Sequence, residues 1–360
     1  MNYIGRKFPL LPFLQDAILK RMASQQGIFF DVFAGTGVVG QHFKQLGFQI
    51  VANDIQYYAY CLNRACVGAN RSPRFGHVAR CSRGKFPSGV ERTLSYLNAL
   101  PGKEGFVYQN YCQGGNPDGQ RMYFADENGR RCDAIRERIE TWRRRGRLTE
   151  QEYFYLIASL LDAADRVANT ASVYAAYLKQ LKKTARKPLN LEAVRLIRTQ
   201  LRHKVYNEEG VGLVGRVPCD VLYMDPPYNQ RQYCTNYHVL ETIARWDKPR
   251  VYGVTGLRPH DGQKSSFCIK SKAPGSLEKM VRATQAKHVF LSYNSEGIMS
   301  KEQIMDTLAQ FGTVDLEKCN HGRFRADVDR HNRVYKSNQV IEYLFCLKKD
   351  RRRGRRDSGI

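Results

Sequence analysis

The sequence has no apolar run long enough to cross a membrane. Its most apolar early stretch, Phe8-Pro9-Leu10-Leu11-Pro12-Phe13-Leu14, is short and broken by two prolines, and it lacks the layout of a secretory signal. A cytoplasmic location with no membrane partner is therefore expected. The ten cysteines follow no regular spacing, which argues for scattered reduced thiols rather than a disulfide framework. Cys61, Cys66, His77 and Cys81 come nearest to a zinc set, but their spacings fit no tight ligand pair, so no metal is expected. No internal repeat is visible. Acidic residues are scarce beside basic ones: 58 Lys and Arg face 34 Asp and Glu, a net charge of +24. A surplus of that size points to a polyanionic partner, nucleic acid above all. Part of it is a tail, since Lys348 to Arg356 holds seven basic residues and one acid. That tail has too few apolar residues to pack, and 348–360 is expected to be disordered. The middle is basic on its own account, with 26 basic and 13 acidic residues over 71–205.

What remains is an ordinary globular chain of 360 residues, 42% hydrophobic, enough to bury a full core. Gly27 to Ala34 reads as a buried strand, Gly35 opens a turn, and Val38 to Leu46 reads as a helix ended by Gly47. Phe48 to Asp54 is a second strand, and a helix follows over Gln56 to Val67. This strand–turn–helix–strand unit begins a doubly wound parallel sheet. The pattern then stops. Residues 71–130 are rich in Gly, Pro, Arg and Asn, and 132–181 reads as helical, with Ile135, Ile139 and Trp142 at helical spacing. Glu150 to Val167 is a second amphipathic run; 172–181 and 190–201 are further helix candidates. Strand patterns return at 204–207, 219–224, 288–293 and 339–347. The simplest architecture is one α/β domain from 1–70 and 203–347, interrupted by a basic, mostly helical insertion at 71–202.

Gly35, Gly37 and Gly40 fit G-x-G-x-x-G after a strand and before a helix. Such glycines let the backbone turn tightly and bring a ligand to the helix N-terminus. Asp54 ends the next strand, 19 residues on, where a carboxylate can bind both hydroxyls of a ribose. The loop thus points to an adenosine-containing ligand. A nicotinamide, a flavin and S-adenosylmethionine all qualify, and a turn that binds nothing would look the same.

The strand Cys219 to Met224 ends in Asp225-Pro226-Pro227-Tyr228. Ligands of open α/β sheets bind at that edge, and consecutive prolines make the turn rigid. A rigid turn can hold a carboxylate, a carbonyl and an aromatic ring in fixed relation, which suits an exocyclic amine as nucleophile. The Asp225 carboxylate accepts one N–H and the Pro226 carbonyl the other, so the nitrogen lone pair is aimed at a methyl group on sulfur. Positioning then supplies much of the catalysis, and Tyr228 stacks on the base. A paired adenine must first be flipped out.

At these residues the chain resembles the DPPY-type DNA adenine methyltransferases in the Dam-like motif order, and within them the FokI-like modification methylases. Asn2-Tyr3-Ile4-Gly5-Arg6-Lys7 resembles the family's cofactor motif, which implies Tyr3 packing against the cofactor and Lys7 binding it. Phe33-Ala34-Gly35-Thr36-Gly37 and Asn53-Asp54 resemble the glycine and acidic motifs. Glu209, in Asn207-Glu208-Glu209-Gly210, takes the place of an Asp expected near the cofactor's adenine. Asn229 to Tyr233, with Arg231 among the DNA-contacting candidates, Leu291 to Gly297 and Tyr335 to Asn338 resemble the later motifs. The resemblance implies a Rossmann-like S-adenosylmethionine methyltransferase sheet, a target recognition domain in the insertion, N6-adenine methylation of double-stranded DNA, and a cognate restriction endonuclease acting on the same site. Arg143, Arg144, Arg145, Lys182 and Lys183 are candidate phosphate contacts, which position an enzyme without setting its sequence preference. The rival readings are methylation of RNA adenine or of another exocyclic amine such as that of cytosine, a catalytically silent DNA-binding module, and a nicotinamide oxidoreductase.

Overall fold

A computed structural model describes residues 7–24, 26–78, 86–116, 121–322 and 339–350. In chain order these form α1 (Leu11–Leu19), β1 (Ile28–Asp31), α2 (Val38–Gln45), β2 (Gln49–Asn53), α3 (Tyr57–Cys66), α4 (Gly89–Asn98), α5 (Phe106–Tyr111), α6 (Asp126–Arg144) and α7 (Glu150–Val167). Then come β3 (Lys204–Tyr206), α8 (Gly210–Leu213), β4 (Val221–Met224), α9 (Tyr233–Asn236), α10 (His238–Arg245), α11 (Ala273–Ala283), β5 (His288–Asn294), α12 (Lys301–Ala309), β6 (Gly312–Gly322) and β7 (Gln339–Lys349). No described helix is long and apolar enough to cross a membrane. The chain divides into two compact units. One is built on Gly5–Ile55, Thr199–Tyr233 and Gln263–Ile360, the other chiefly on Gln56–Arg198 and Cys234–Gly262.

The first unit carries a seven-stranded sheet in the order β3-β2-β1-β4-β5-β7-β6. β1 to β5 run parallel, while β7 lies antiparallel between β5 and β6. This is the α/β, Rossmann-like arrangement expected of a methyltransferase sheet. Successive strand residues serve opposite faces. Phe30, Val32, Leu222, Met224, Val289 and Leu291 pack with Leu277, Met280 and Val281 of α11 and with Ile304 and Leu308 of α12. Phe29 points the other way and stacks on Phe43 of α2, with ring centroids 4.2 Å apart. The strand order changes direction at β1, whose neighbours β2 and β4 lead to opposite edges, and ligands of open α/β sheets bind beyond the C-terminal end of such a switch point.

The second unit is helical. α7 is buried around nearly its whole circumference, from Tyr153 to Val167, which marks a central helix rather than a surface one. α3, α6 and α10 pack against it. Buried charges close the helix ends here. The Glu241 carboxylate accepts the backbone N–H groups of Tyr57 and Tyr58 at the start of α3. Asp133 does the same for Val107 and Tyr108 of α5. Fully buried Arg136 donates to the carbonyls of Ile243 and Ala244 at the end of α10.

Several elements differ from the sequence expectations. Residues 190–201 have no regular secondary structure and are not helical. Their backbone is held by side chains: Asn98 bonds both backbone groups of Leu191, Ser159 donates to the Glu192 carbonyl, and the Tyr155 hydroxyl bonds Val194. Residues 172–181 are bends and turns, starting from Ser172 in the left-handed region at φ 88°. Two helices, α4 and α5, lie in the stretch that shows no periodicity. The helical unit also extends beyond 71–202, because α3 and 234–262 belong to it. At the other end, Lys348 and Lys349, assigned above to the tail, finish β7; residues 351–360 lie outside the described ones.

Candidate active site

The glycine turn leaves β1 with Gly35 at φ 50° and Gly37 at φ 77°, conformations that cost an L side chain strain. Gly37 caps the N-terminus of α2. The Gly35 N–H donates to the Asp54 carboxylate at 2.8 Å, so the acidic residue is already aimed into the turn. Asn53 ties three strand ends together. Its side-chain amide donates to the carbonyls of Val32 and Glu208 and accepts from the Glu208 N–H. Phe33 is half-buried and meets Phe267 edge to face at 5.4 Å. Glu209 is exposed, and its carboxylate accepts the Gly212 N–H at 2.8 Å as the cap of α8. Tyr3 lies outside the described residues.

Asp225, Pro226, Pro227 and Tyr228 continue from the fully buried β4. Asp225 is 19% exposed, and its Oδ1 lies 3.1 Å from the Nζ of Lys7, which is 5% exposed. The same ammonium lies 3.5 Å from Glu342 of β7. Burial works against the Lys7 charge, but Asp225 and Glu342 outweigh it and hold its pKa above the usual value. Burial pushes the Asp225 carboxyl up to about 6; Lys7 opposes that shift and Glu342 adds to it. Behind them, Asp31 at the end of β1 is 1% exposed, and its Oδ1 has no hydrogen-bond partner among the described residues. Burial, then the charges of Asp225 and Asp54, raise its pKa well above the carboxylate range.

The segment after Pro227 is fastened within the same unit. The Tyr228 carbonyl accepts the Ile298 N–H at 2.9 Å, and its ring meets Tyr293 edge to face. Gln232 exchanges two hydrogen bonds with the Ser265 backbone, and Asn229 accepts the Arg231 N–H. The Arg231 side chain is left exposed.

One strand edge therefore gathers Lys7, Phe33, Gly35, Gly37, Asp54 and the 225–228 turn. It also holds two acids that the sequence analysis gives no role, Asp31 and Glu342. Each left a trace: a carboxylate inside an apolar strand, in Phe29-Phe30-Asp31-Val32-Phe33 and Val340-Ile341-Glu342-Tyr343-Leu344, is rarely buried without a partner or a task. In an otherwise basic protein this edge is acidic. It suits a cationic ligand with a ribose, and the orphan oxygen of Asp31 fits a donor on such a ligand.

Arg231 belongs to the sheet unit, and the other basic candidates lie in the helical unit. Arg143, Arg144 and Arg145 end α6 and are exposed, with the Arg143 guanidinium 4.1 Å from the Tyr153 ring centre. Lys183 is exposed, whereas the Lys182 ammonium turns inward to the Thr170 carbonyl at 2.7 Å.

Residues 3–307 match the model of the D12 class N6 adenine-specific DNA methyltransferases. The type II methyltransferase M.NlaIII of Neisseria lactamica is 41% identical, over 97% of this chain and 99% of its own length. M.CviAII of Paramecium bursaria Chlorella virus 1 is 34% identical, over 96% and 98%. M.FokI of Planomicrobium okeanokoites is 34% identical over 97% of this chain, which spans 53% of that longer protein.

Proposed function

The chain belongs to the D12 class of N6 adenine-specific DNA methyltransferases, and on that premise we propose that Asp225 to Tyr228 present a flipped-out adenine of double-stranded DNA to S-adenosylmethionine held over Gly35, Gly37 and Asp54. The observation that carries this reading is the partly buried Asp225 carboxylate, held by Lys7 through one oxygen at the C-terminal edge of the sheet. When bound, the cofactor supplies an electrophilic methyl group on a sulfonium. Asp54 takes the ribose hydroxyls, and Asp31 lies behind the glycine turn to receive a polar donor. The backbone at Gly35 and Gly37 admits the ligand closely because it has no Cβ there.

Asp225 accepts one hydrogen of the adenine amine and the Pro226 carbonyl the other, while Tyr228 stacks on the ring. The amine becomes cationic as it takes the methyl group, and one proton must then leave. A carboxylate with a pKa of about 6 is a far better acceptor for it than an ordinary Asp. The helical unit, with Arg143, Arg144, Arg145 and Lys183 on its surface, recognises the target. The names of the relatives favour a modification enzyme with a cognate endonuclease for the same site.

The test is direct. The protein is incubated with labelled S-adenosylmethionine and either DNA or RNA, and the digested nucleosides are identified. Label in N6-methyladenine from duplex DNA is expected; label confined to RNA or to cytosine overturns the reading. Asp225→Ala abolishes transfer while sparing folding and DNA affinity, and full activity in that variant would refute the assignment. Mapping methylated adenines in a plasmid from an expressing strain yields the recognition sequence.

A further inference from the structure

The segment after α10 makes a hairpin in the helical unit that the chemistry above does not use. Tyr252 and Leu257 exchange backbone hydrogen bonds of 2.9 and 2.8 Å across the turn Gly253-Val254-Thr255-Gly256. Gly253 and Gly256 take positive φ, 68° and 66°. Val254 at the tip is 68% exposed, the highest value among the exposed large hydrophobics of the described residues, and Tyr252 is 46% exposed. Exposure of this kind usually accompanies a slack loop, yet this one is fastened at every carbonyl. Arg121 donates to Gly253 O at 3.0 Å and Val254 O at 3.2 Å. The hydroxyl of Tyr123 lies 3.1 Å from Thr255 O and 2.8 Å from Tyr174 O, which share its one proton, and that of Tyr111 lies 3.3 Å from both Gly256 O and Thr242 Oγ1. A Cβ at Gly256 would come within 3.0 Å of Arg121 Nε, so the close approach requires glycine.

Two consequences follow. The tip is held rigid with apolar side chains outward. It also turns the carbonyl oxygens of Gly253 and Val254 inward onto the Arg121 guanidinium, away from a phosphate backbone. Nearby charge agrees: Arg250 is exposed, and Asp247 is neutralised by Arg258 at 3.1 Å. We propose that Tyr252 to Gly256 form a wedge that enters the DNA duplex, with the Val254 side chain lodged at a base step and the Tyr252 ring against the bases. A duplex interior is the apolar partner that a protein of net charge +24 meets behind a polyanionic surface. Extruding a base leaves unstacked neighbours, and an apolar side chain inserted there offsets part of the cost. The wedge rests on the reading of this chain as an enzyme that flips adenine.

The experiment uses the full chain and duplex oligonucleotides carrying the mapped site, with 2-aminopurine in place of the target base. Wild-type protein raises the fluorescence as the base leaves the stack. Val254→Ala and Tyr252→Ala, both at exposed positions, keep the wild-type circular dichroism. Each loses most of the fluorescence gain and slows methylation of the paired site on the order of tenfold, the scale of a partly lost unstacking compensation. A mismatch opposite the target lowers the flipping cost and restores both variants to within a few-fold of wild type. A purely structural turn does not give that rescue. Variants equal to wild type on the paired site overturn the wedge, as does a defect that the mismatch leaves unchanged. So does loss of a dimer in sedimentation, which assigns the tip to a second copy of the chain. If wild type itself neither flips nor methylates DNA, the reading of the site fails and the wedge falls with it.

Discussion

Replacing Glu342 by Gln tests the electrostatics of the site with almost no change of shape. Lys7 touches Asp225 at 3.1 Å and Glu342 at 3.5 Å. The two carboxylates therefore lie no more than about 7 Å apart; at an effective dielectric near 20 one charge over that range is worth on the order of 2 kcal/mol. That corresponds to roughly one to two pH units. The negative charge of Glu342 disfavours a second negative charge on Asp225, so removing it lowers the Asp225 pKa from about 6. Tyr228, Tyr223 and Asp31 also face this carboxylate and stay in place. Methylation needs the ionised form, so wild type loses rate as pH falls through about 6. In Glu342→Gln the acid limb moves roughly one to two units lower, and the variant outperforms wild type at pH 5 relative to its own plateau. Single-turnover rates across pH at subsaturating cofactor report the free enzyme's limb without interference from product release. A limb that stays near 6 or moves upward would refute the reasoning, whatever happens to the plateau.

The remaining predictions concern stability and DNA. Arg136→Ala leaves the carbonyls of Ile243 and Ala244 unpaired inside the helical unit and costs about 3 kcal/mol or more in denaturant unfolding. Thr149→Ala removes the capping box with Glu152 at the head of α7 and costs about 1 kcal/mol by the same measurement. Gly37→Ala imposes a left-handed alanine, a strain of about 1–2 kcal/mol, and weakens cofactor binding in titration calorimetry. Changing Arg143, Arg144 and Arg145 together to Gln lowers the slope of log affinity against log salt by up to about 3, with the preferred sequence unchanged.

The parallel half of the sheet was legible because its strands are short apolar runs bounded by turn residues, as in Gly27 to Ala34 and Cys219 to Met224. β6 was not. It is an edge strand on which only Val314 and Leu316 alternate with exposed Thr313 and Asp315, and its charges pair with Lys20 and Arg21 beyond α1. The stretch 190–201 has helix-forming residues but no helix. There, tertiary hydrogen bonds from Asn98, Tyr155 and Ser159 replace the helical ladder, and no local propensity reports on partners some 30 to 90 residues away. The helical unit reaches further than the basic stretch of sequence for a similar reason. α3 continues the sheet pattern in sequence, yet its buried face, Tyr58, Cys61, Leu62 and Ala65, belongs to helices.

Of the site, the turns were readable and the charges were not. Glycines and prolines announce backbone geometry directly, so Gly35, Gly37 and Asp225 to Tyr228 could be placed from order alone. Carboxylates announce nothing until their neighbours are known. Asp31, Asp54, Asp225 and Glu342 come from four strands, and Lys7 is the one ammonium paired with two of them among the described residues. Burial first, and then the repulsion among these acids, raises the Asp31 and Asp225 pKa values. A neutral ligand would leave that repulsion in place. A sulfonium relieves it, and it also favours the ionised Asp225 that the amine requires. The cofactor we propose thus serves as methyl donor and as counter-charge, while its thioether product keeps neither role. Losing that counter-charge weakens the hold of the acidic edge on the product, which favours its exchange for a fresh donor.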